Sequence, residues 1–399
     1  MTWPPRPPRR GTAVVLAASL VGGSADILDF LLPLWAGAVL GGTPAQIGVL
    51  VAVELACSFA ARPVAGWLTD TCDRTRVAAL GALLYALGCL GYAAAPGLGA
   101  ATCAAAATGV GGALLWVAVR AVTAERLAQD DAVFARLFSS VALAAWLAWV
   151  PSMVLLPVIG YRGVFAALGV VCLVGVVALL LVGRSPGVPA GAGPAGSARD
   201  DARRLGPLLG AVALTAVAES GVGLLLLLHL QGRFDLEVYQ IALVFLPGGI
   251  ALTVLPRPLH RLTARWGRRT VYAVATAGSA LFAAGLASAP GPLPIAALWV
   301  LTSAAWAALV PIHEAAVAEV SAVGRTGRSM SLLGNARLAG GAVGSAAAGV
   351  LYQGTSWAAV CLALAGLLAV GAAAGPWALR RMGIEDRPRR AGDEPAVAG

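Results

Sequence analysis

The sequence predicts an all-α polytopic membrane protein, with twelve transmembrane helices in two six-helix bundles related by a pseudo-two-fold axis. Three observations support this prediction: an apolar composition, an internal repeat and the distribution of arginine. Hydrophobic residues make up 59% of the 399 residues and charged residues 12%, whereas an ordinary soluble domain has about 25% charged residues. Mean hydropathy is +0.83. A soluble chain of this length cannot bury so much apolar surface, so the bilayer is the expected environment.

The repeat is visible in the charged residues of the two halves. Arg120 recurs as Glu314 and Glu125 as Glu319, each 194 residues later. Asp26 has a counterpart in Glu219, one residue off that separation. A repeat of this size in a hydrophobic chain indicates two membrane halves, and substrate sites in such proteins lie near the bilayer midplane, between the repeats.

Twelve apolar segments are long enough to cross a bilayer, because about 20 residues make one spanning helix. Turn signals rich in Gly and Pro separate them. The predicted spans are 11–35, 45–68, 77–96, 98–119, 135–158, 163–183, 207–230, 237–256, 270–289, 293–316, 329–351 and 355–379.

These spans predict four parts of the chain. Residues 1–183 form an N-terminal bundle and residues 207–379 form a C-terminal bundle. Between them, residues 184–206 are rich in Gly, Pro and Ala and then charged, which predicts a flexible cytoplasmic linker. Residues 380–399 form a polar cytoplasmic tail.

The arginines predict the orientation. With both termini inside, only Arg162 and Arg233 fall on the outer side, which satisfies the positive-inside rule. A multi-pass protein of the plasma membrane with two cytoplasmic termini is therefore expected. The arginines that give the chain its net charge of +9 lie between the apolar runs, so this charge does not indicate a nucleic-acid partner.

Other function classes lack their motifs. The six cysteines are scattered without C-x-x-C spacing, so no metal centre or disulfide is expected. No phosphate-binding Gly-rich loop followed by Lys is present, which gives no indication of ATP as the energy source. No nucleophile, paired-His or metal constellation indicates an enzyme. We therefore predict neither a cofactor nor catalytic chemistry.

Two related motifs follow the second and eighth predicted spans. GWLTDTCDRTR begins at Gly66, and HRLTARWGRRT begins 194 residues later at His260. Here the chain resembles the major facilitator superfamily, whose signature between helices 2 and 3 has the form G-x-L-x-D-R-x-G-R-R. The first copy supplies Gly66, Leu68, Asp70 and Arg74 but has Thr71, Asp73 and Thr75 in place of Arg, Gly and the last basic residue. The second copy lacks the first Gly and the Asp but supplies Leu262, Arg265, Gly267, Arg268 and Arg269.

The motif predicts a conformational latch. Gly66 lets two helices approach closely. Asp70, at a helix end, can pair with a neighbouring helix amino terminus or with an Arg. Arg74 can bind helix carbonyls or nearby carboxylates. The alternative is a tight basic turn that only fixes topology, and this alternative applies most directly to the arginines.

Four carboxylates and one guanidinium lie near the predicted midplane. Asp26 and Asp29 share a face of the first helix, because they are three residues apart. Glu54, Glu219 and Arg337 lie at comparable depth. Charges at this depth indicate function, because burying them is costly. They can bind cations or hold protons, since burial and like-charge neighbours favour the protonated acid.

Each of these residues also has a structural interpretation. The acids can be neutral or paired groups that hold helices together. Arg337 can pair with Glu314 or Glu319 as readily as it can contact substrate. His229 and His313 lie near predicted helix ends and are interpreted as hydrogen-bonded boundary residues. Interface-belt or packing roles are favoured over cavity lining for most of Trp116, Trp146, Trp149 and Trp306.

The function predicted from these features is proton-coupled efflux of a small organic compound by alternating access. The likeness to the drug/proton antiporter branch is weak, because the fifth predicted helix has Pro151 and Pro157 but no glycine before Gly160. That branch usually has a Gly-Pro-Gly-rich pattern there. A proton-coupled importer of a sugar-like or nucleoside-like nutrient is one alternative, and a non-transporting membrane scaffold or lipid-handling protein is another. The expected partners are a small-molecule substrate, protons and the lipid bilayer, and the expected state is a monomer.

Overall fold

The computed structural model describes residues 9–181, 198–236, 238–322 and 324–387. In these ranges the chain forms helices and connecting turns, with no strand. The described helices are α1 (Arg9–Ala38), α2 (Pro44–Thr71), α3 (Arg74–Ala94), α4 (Leu98–Ala124), α5 (Val133–Leu180), α6 (Ala198–Phe234), α7 (Val238–Val254), α8 (Pro256–Trp266), α9 (Arg268–Leu286), α10 (Pro292–Val320), α11 (Thr326–Gly354) and α12 (Trp357–Arg381).

Two parts of the chain need comparison with the predicted spans. The fifth and sixth spans are two helices that meet at a kink at Gly160, with φ 65°, and together make up α5. The eighth span continues through α7 into α8, across a bend of 56°. In the described part of the chain, eight helices are long and apolar enough to cross a membrane, or nine if the bent pair is one span. Because α5 covers two of the predicted spans, the nine candidates correspond to ten of the twelve, and α9 and α11 are the described helices at the remaining two.

The predicted linker is shorter than the sequence indicated. Residues 198–206 lie in the first turns of α6, whose first turn carries Asp200 and Asp201. Carboxylates in a first turn favour a helix by interacting with its dipole. Residues 184–197 of the predicted linker and 388–399 of the predicted tail lie outside the described residues.

Several helix starts have side-chain caps. Thr43 precedes α2 and forms a capping box with Gln46, which satisfies two backbone donors. Asp73 caps α3 by accepting from the backbone N–H of Arg76 at 3.0 Å. Ser356 caps α12 by accepting from the N–H of Ala359 at 3.2 Å. These polar residues explain why the helices begin where the predicted turns end.

The chain divides into two compact units, and each contains a short segment from the other half of the sequence. The first unit comprises Met1–Thr123, Ser140–Ala195 and Ala322–Leu332, and the second comprises Ala124–Ser139, Gly196–Ser321 and Leu333–Gly399. Residues 322–332 lie 194 residues after 128–138, so the two exchanged segments correspond under the repeat. The exchange therefore follows the internal symmetry of the sequence.

Small residues and one aromatic cluster pack the first unit. Gly81 on α3 and Gly111 on α4 bring the two backbones into direct contact, where any side chain would collide. Such close approach is typical of small residues in membrane helix pairs. The rings of Trp35, Tyr92 and Phe165 meet with centroids 5.3–6.0 Å apart and join α1, α3 and α5. The acidic residues Asp26 and Asp29 of α1 and Glu54 of α2 belong to this packed unit.

The second unit has its own core. Helix α9 packs against α10 and α12, α7 packs against α10, and α6 packs against α12. Buried Leu, Val and Phe residues of these helices form one continuous cluster. On its other side α6 meets α11, where Gly344 contacts the backbone of Val217. Glu219 and Arg337, which the sequence predicts to lie near the midplane, lie on these two helices.

Candidate functional site

Three acidic residues come together in the first unit. The side chains of Asp26 and Asp29 on α1 are exposed, and Glu54 on α2 is half-buried. Asp26 lies within electrostatic range of Asp29, and Asp29 lies within range of Glu54. The structure thus brings together the three acids that the sequence placed at one depth in the N-terminal half.

Asp26 lies on a helix face that packs against protein. Gly22 and Phe30, four residues before and after it, lie on the same face. Gly22 packs against Trp116 and Val141, and the ring of Phe30 lies 5.8 Å from that of Trp149. The Asp26 carboxyl is thus exposed between two packed positions of α1. The residues packed at those positions include Trp116 and Trp149, two of the tryptophans for which belt or packing roles were favoured.

Two buried tyrosines of α3 accompany the acids, and the sequence analysis missed them. Tyr85 lies in electrostatic range of Asp29 and Glu54, and Tyr92 in range of Glu54. Both hydroxyls are buried without a hydrogen-bond partner among the described residues. A buried polar atom without a partner requires an explanation, such as a ligand or a functional role. The missed signal is the seven-residue spacing, which puts both rings on one face of an otherwise apolar helix.

The second unit holds a mixed-charge cluster. Half-buried Glu219 on α6 lies beside the side chain of Trp306 on α10 and in electrostatic range of Arg337 on α11. Of the two carboxylates considered as partners for Arg337, Glu319 is engaged elsewhere. Both of its oxygens bind Arg268, at 2.5 and 2.6 Å. Arg337 thus lies within electrostatic range of Glu219, whereas Glu319 is paired with Arg268.

His313 is not at a helix boundary, so that part of the sequence interpretation was wrong. It lies seven residues inside the end of α10, is buried with 4% exposure, and both ring nitrogens lack a hydrogen-bond partner in the described residues. Its ring lies 5.3 Å from that of Tyr272 on α9, and Arg337 is within electrostatic range. Predicting the tenth span four residues too short concealed this position. His313 and Tyr272 therefore extend the polar cluster around Glu219.

Asp70 caps the amino terminus of α11. Its two carboxylate oxygens accept hydrogen bonds from the backbone N–H groups of Gly327 at 2.7 Å and Arg328 at 3.0 Å. The guanidinium of Arg328 is farther away, at 4.0 Å. Gly66 makes this approach possible, because a Cβ there would lie 2.9 Å from the Cα of Arg328. Asp70 is thus bound by a helix terminus, and an Arg side chain contributes little.

Arg74 supports the same turn from inside the first unit. It is buried, and it donates to the carbonyl oxygens of Thr69 at 3.2 Å and Ala121 at 3.4 Å. These bonds tie the end of α2 and the start of α3 to α4. A guanidinium that binds carbonyls in this way fixes the backbone that presents Asp70.

The second motif copy uses different contacts. Arg268, with 3% exposure, forms the bidentate pair with Glu319 of α10, whereas Arg265 is exposed. Gly267 joins α8 to α9 with φ 88°, a left-handed conformation that strongly favours glycine. In this copy Arg268 therefore forms a buried ion pair, Gly267 makes a turn, and Arg265 is an exposed cation.

The family model described as Major Facilitator Superfamily matches this sequence twice, over residues 14–290 and 208–398. The chain belongs to the major facilitator superfamily. Members of the superfamily are membrane transporters that bind small-molecule substrates, and their fold supports secondary transport. The predicted family and fold class are therefore confirmed. A comparison with curated proteins finds no significant match.

Solved major facilitator structures share this fold. The human organic anion transporter MFSD10 (TETRAN) has 17% sequence identity, and the match covers 92% of this chain and 100% of that one with a TM-score of 0.74. The proton:xylose symporter XylE has 13% identity, with coverage of 96% and 97% and a TM-score of 0.74. A bacterial homologue of the iron transporter ferroportin has 16% identity, with coverage of 94% and 99% and a TM-score of 0.74. Identities this low establish the fold and leave the substrate open.

In this major facilitator protein, the residues after α12 supply an acid to the second motif copy. Asp73, which caps α3, corresponds under the repeat to Gly267, which has no side chain to cap α9. Asp386 takes over this role. Its carboxylate accepts from the N–H of Arg269 at 2.9 Å, and its carbonyl accepts from the N–H of Arg268 at 2.6 Å. The carbonyl of Ile384 also binds the Arg269 guanidinium, at 3.0 Å.

We expect Asp386→Ala to lower stability modestly. Loss of a helix cap costs about 1 kcal/mol, so the unfolding temperature of the detergent-solubilised protein should fall by about 1 to 3 °C. Asp386→Asn should retain most of the stability, because Asn also caps helices well. Arg387→Ala, at an exposed neighbouring position, is the control. Equal unfolding temperatures for Asp386→Ala and Arg387→Ala would contradict the capping role.

Proposed function

We propose that this protein is a secondary active transporter that exports a small organic compound in exchange for protons by alternating access. The observation that carries this proposal is the exposed Asp26 carboxyl, which lies between two packed positions of α1 and interacts with Asp29, which in turn interacts with Glu54. Three acids in one interior region make simultaneous ionisation unfavourable, so protons bind there readily. A carboxyl that exchanges a proton for a substrate couples the two movements.

Glu219 and Arg337 are proposed as the coupling or substrate-binding groups of the second unit. A carboxyl beside a guanidinium has two arrangements. The ionised acid attracts the guanidinium, whereas the protonated acid releases it to bind an anionic or polar group. Buried Tyr272 and His313 supply further polar atoms at the same place. The second unit is thus able to recognise a hydrogen-bonding group of the substrate.

The two motif copies are proposed as the gate. Alternating access requires a structural element whose contacts differ between the two conformational states of the transporter. The bond between Asp70 and the first turn of α11 depends on the close approach permitted by Gly66, so separation of these helices breaks it cleanly. Arg74 holds the first copy in place, while Arg265, Gly267 and Arg268 form the second. We further propose a monomer in the plasma membrane, with both termini and both motif copies on the cytoplasmic side.

Proteoliposomes containing the purified protein and an internal pH indicator test this proposal. A panel of amines, sugars, nucleosides and organic acids is added in turn, with and without an imposed pH gradient. A compound that moves protons in the opposite direction to itself supports export by exchange. Movement of both in the same direction would identify a symporter and thus an importer. Compound transport without any proton movement would refute proton coupling.

A further inference from the structure

The segment 124–139 contacts α8 through an imidazole–carboxylate pair. His260 Nε2 lies 3.3 Å from the Oδ2 of Asp131, just before α5 begins. The two side chains are 15% and 33% exposed. Under the repeat, His260 corresponds to Gly66, and Asp131 corresponds to Arg325, which precedes α11. The pair therefore occupies the place in the second motif copy that the Asp70 cap occupies in the first.

The two contacts differ in chemistry. Ala264 stands at the position of Asp70 in the second copy, so no carboxylate from that position can cap α5. The contact between α8 and the segment before α5 depends instead on His260. The Asp70 cap joins an acid to backbone N–H groups, which do not titrate. An imidazole changes charge between about pH 5 and pH 8, and its attraction to a carboxylate changes with it.

Asp131 is the acid in contact with His260, because the nearby acids Glu319 and Asp130 are paired with arginines. Thr263 and apolar residues of α10 line most of the recess around the pair, and its buried cation, Arg268, is neutralised by Glu319. Asp130 is paired with Arg136. Exposed Arg261 and Arg265 lie on the same helix as His260. Arg126 and Arg257 also lie near this end of α5, where they interact with Arg136, and Glu125 belongs to the same segment.

We infer that His260 and Asp131 form a proton-sensitive latch, a second gate contact that is strong when His260 is protonated and weak when it is neutral. A protonated imidazole attracts an ionised carboxylate and a neutral imidazole does not, so the latch is present at acidic pH and is lost as the pH rises. The inference rests on the proposed alternating-access function and on the proposed cytoplasmic position of the motifs. Protons delivered to the cytoplasm by exchange would then strengthen the latch and limit further proton entry.

Amide hydrogen exchange of the full-length protein in nanodiscs, without substrate, tests this inference. Protection of peptides from 124–139 is compared at pH 6 and pH 8 after correction for the intrinsic exchange rates. A partly exposed ion pair contributes up to about 1 kcal/mol. We therefore expect two- to fivefold greater protection at pH 6 in the wild-type protein. Peptides from 324–332, held by Asp70, should show no such change.

His260→Gln and Asp131→Asn should each abolish the pH dependence in 124–139, because each removes one charge but keeps a hydrogen-bonding group. His229→Gln is the matched control, because His229 stacks on Trp357 with centroids 3.9 Å apart in another part of the unit. An unchanged pH dependence in His260→Gln, or its absence from the wild-type protein, would overturn the inference. Asp70→Ala should deprotect 324–332 in the same experiment. If Asp70→Ala leaves 324–332 protected, the proposed gate fails independently of the proton-sensitive latch.

Discussion

Replacement of Asp26 by Asn is expected to abolish proton-coupled transport by the reconstituted protein. Asn has nearly the same shape but cannot bind or release a proton, so the packing of α1 should be preserved while the coupling group is lost. Compound-driven proton flux in proteoliposomes should fall by at least about tenfold, toward the background of empty vesicles. Asp29→Asn and Glu54→Gln should have smaller effects, because each leaves Asp26 and one acidic neighbour in place.

A second measurement separates coupling from binding. Exchange of labelled for unlabelled compound at equal pH requires substrate binding and conformational exchange but no net proton movement. Asp26→Asn should retain this exchange if Asp26 carries the proton alone. Asp235→Asn is the control, because Asp235 is exposed and has φ 50°, a conformation that Asn also tolerates. Unaltered proton flux in Asp26→Asn would eliminate Asp26 as the proton carrier.

Replacement of Asp70 by Ala should shift the conformational population and impair turnover. The carboxylate satisfies two N–H groups at a helix terminus and interacts favourably with the helix dipole. Its loss should cost about 1 to 2 kcal/mol, which changes a two-state ratio by about 5- to 30-fold. The helices should still insert, because the arginines that determine orientation remain.

Arg328→Ala is the matched control for Asp70→Ala. The backbone N–H of residue 328 survives this change, and the guanidinium lies 4.0 Å from the carboxylate. Its effect on turnover should therefore be small. Labelling of the exposed Cys72, within the first motif copy, and of the exposed Cys103, in the second turn of α4, reports the accessibility of these two regions. Wild-type transport with an unchanged labelling ratio in Asp70→Ala would reduce the motif to a topological signal.

Local features of the fold were predictable from the sequence. Gly- and Pro-rich turns located several helix boundaries, whereas the caps that Thr43, Asp73 and Ser356 provide for α2, α3 and α12 were not predicted. The continuation of the eighth span into α8 was missed, since that helix is amphipathic and its charged residues resemble a turn. Residues 198–206 were assigned to the linker because glycine and proline dominate the sequence just before them.

The candidate site was predictable in its charges but not in its partners. Midplane acids are unusual in apolar helices, which is why Asp26, Asp29, Glu54 and Glu219 could be found. Tyrosine and histidine are compatible with boundary positions, so the burial of Tyr272 and His313 required the packed helices to be seen. The contact of Asp70 with α11 joins residues 257 positions apart, and no local pattern encodes such a pairing.

The cap provided by Asp386 has a consequence for biosynthesis. Asp73 caps α3 from the adjacent position, so the amino terminus of α3 can be capped as soon as that helix emerges from the ribosome. Arg269 must wait for an acid that lies 117 residues later, which is about ten seconds of translation at typical rates. During that interval α9 has no carboxylate at its amino terminus. The caps of α3 and α9 therefore form at different times, and the cap of α9 is completed only after α12 has been made.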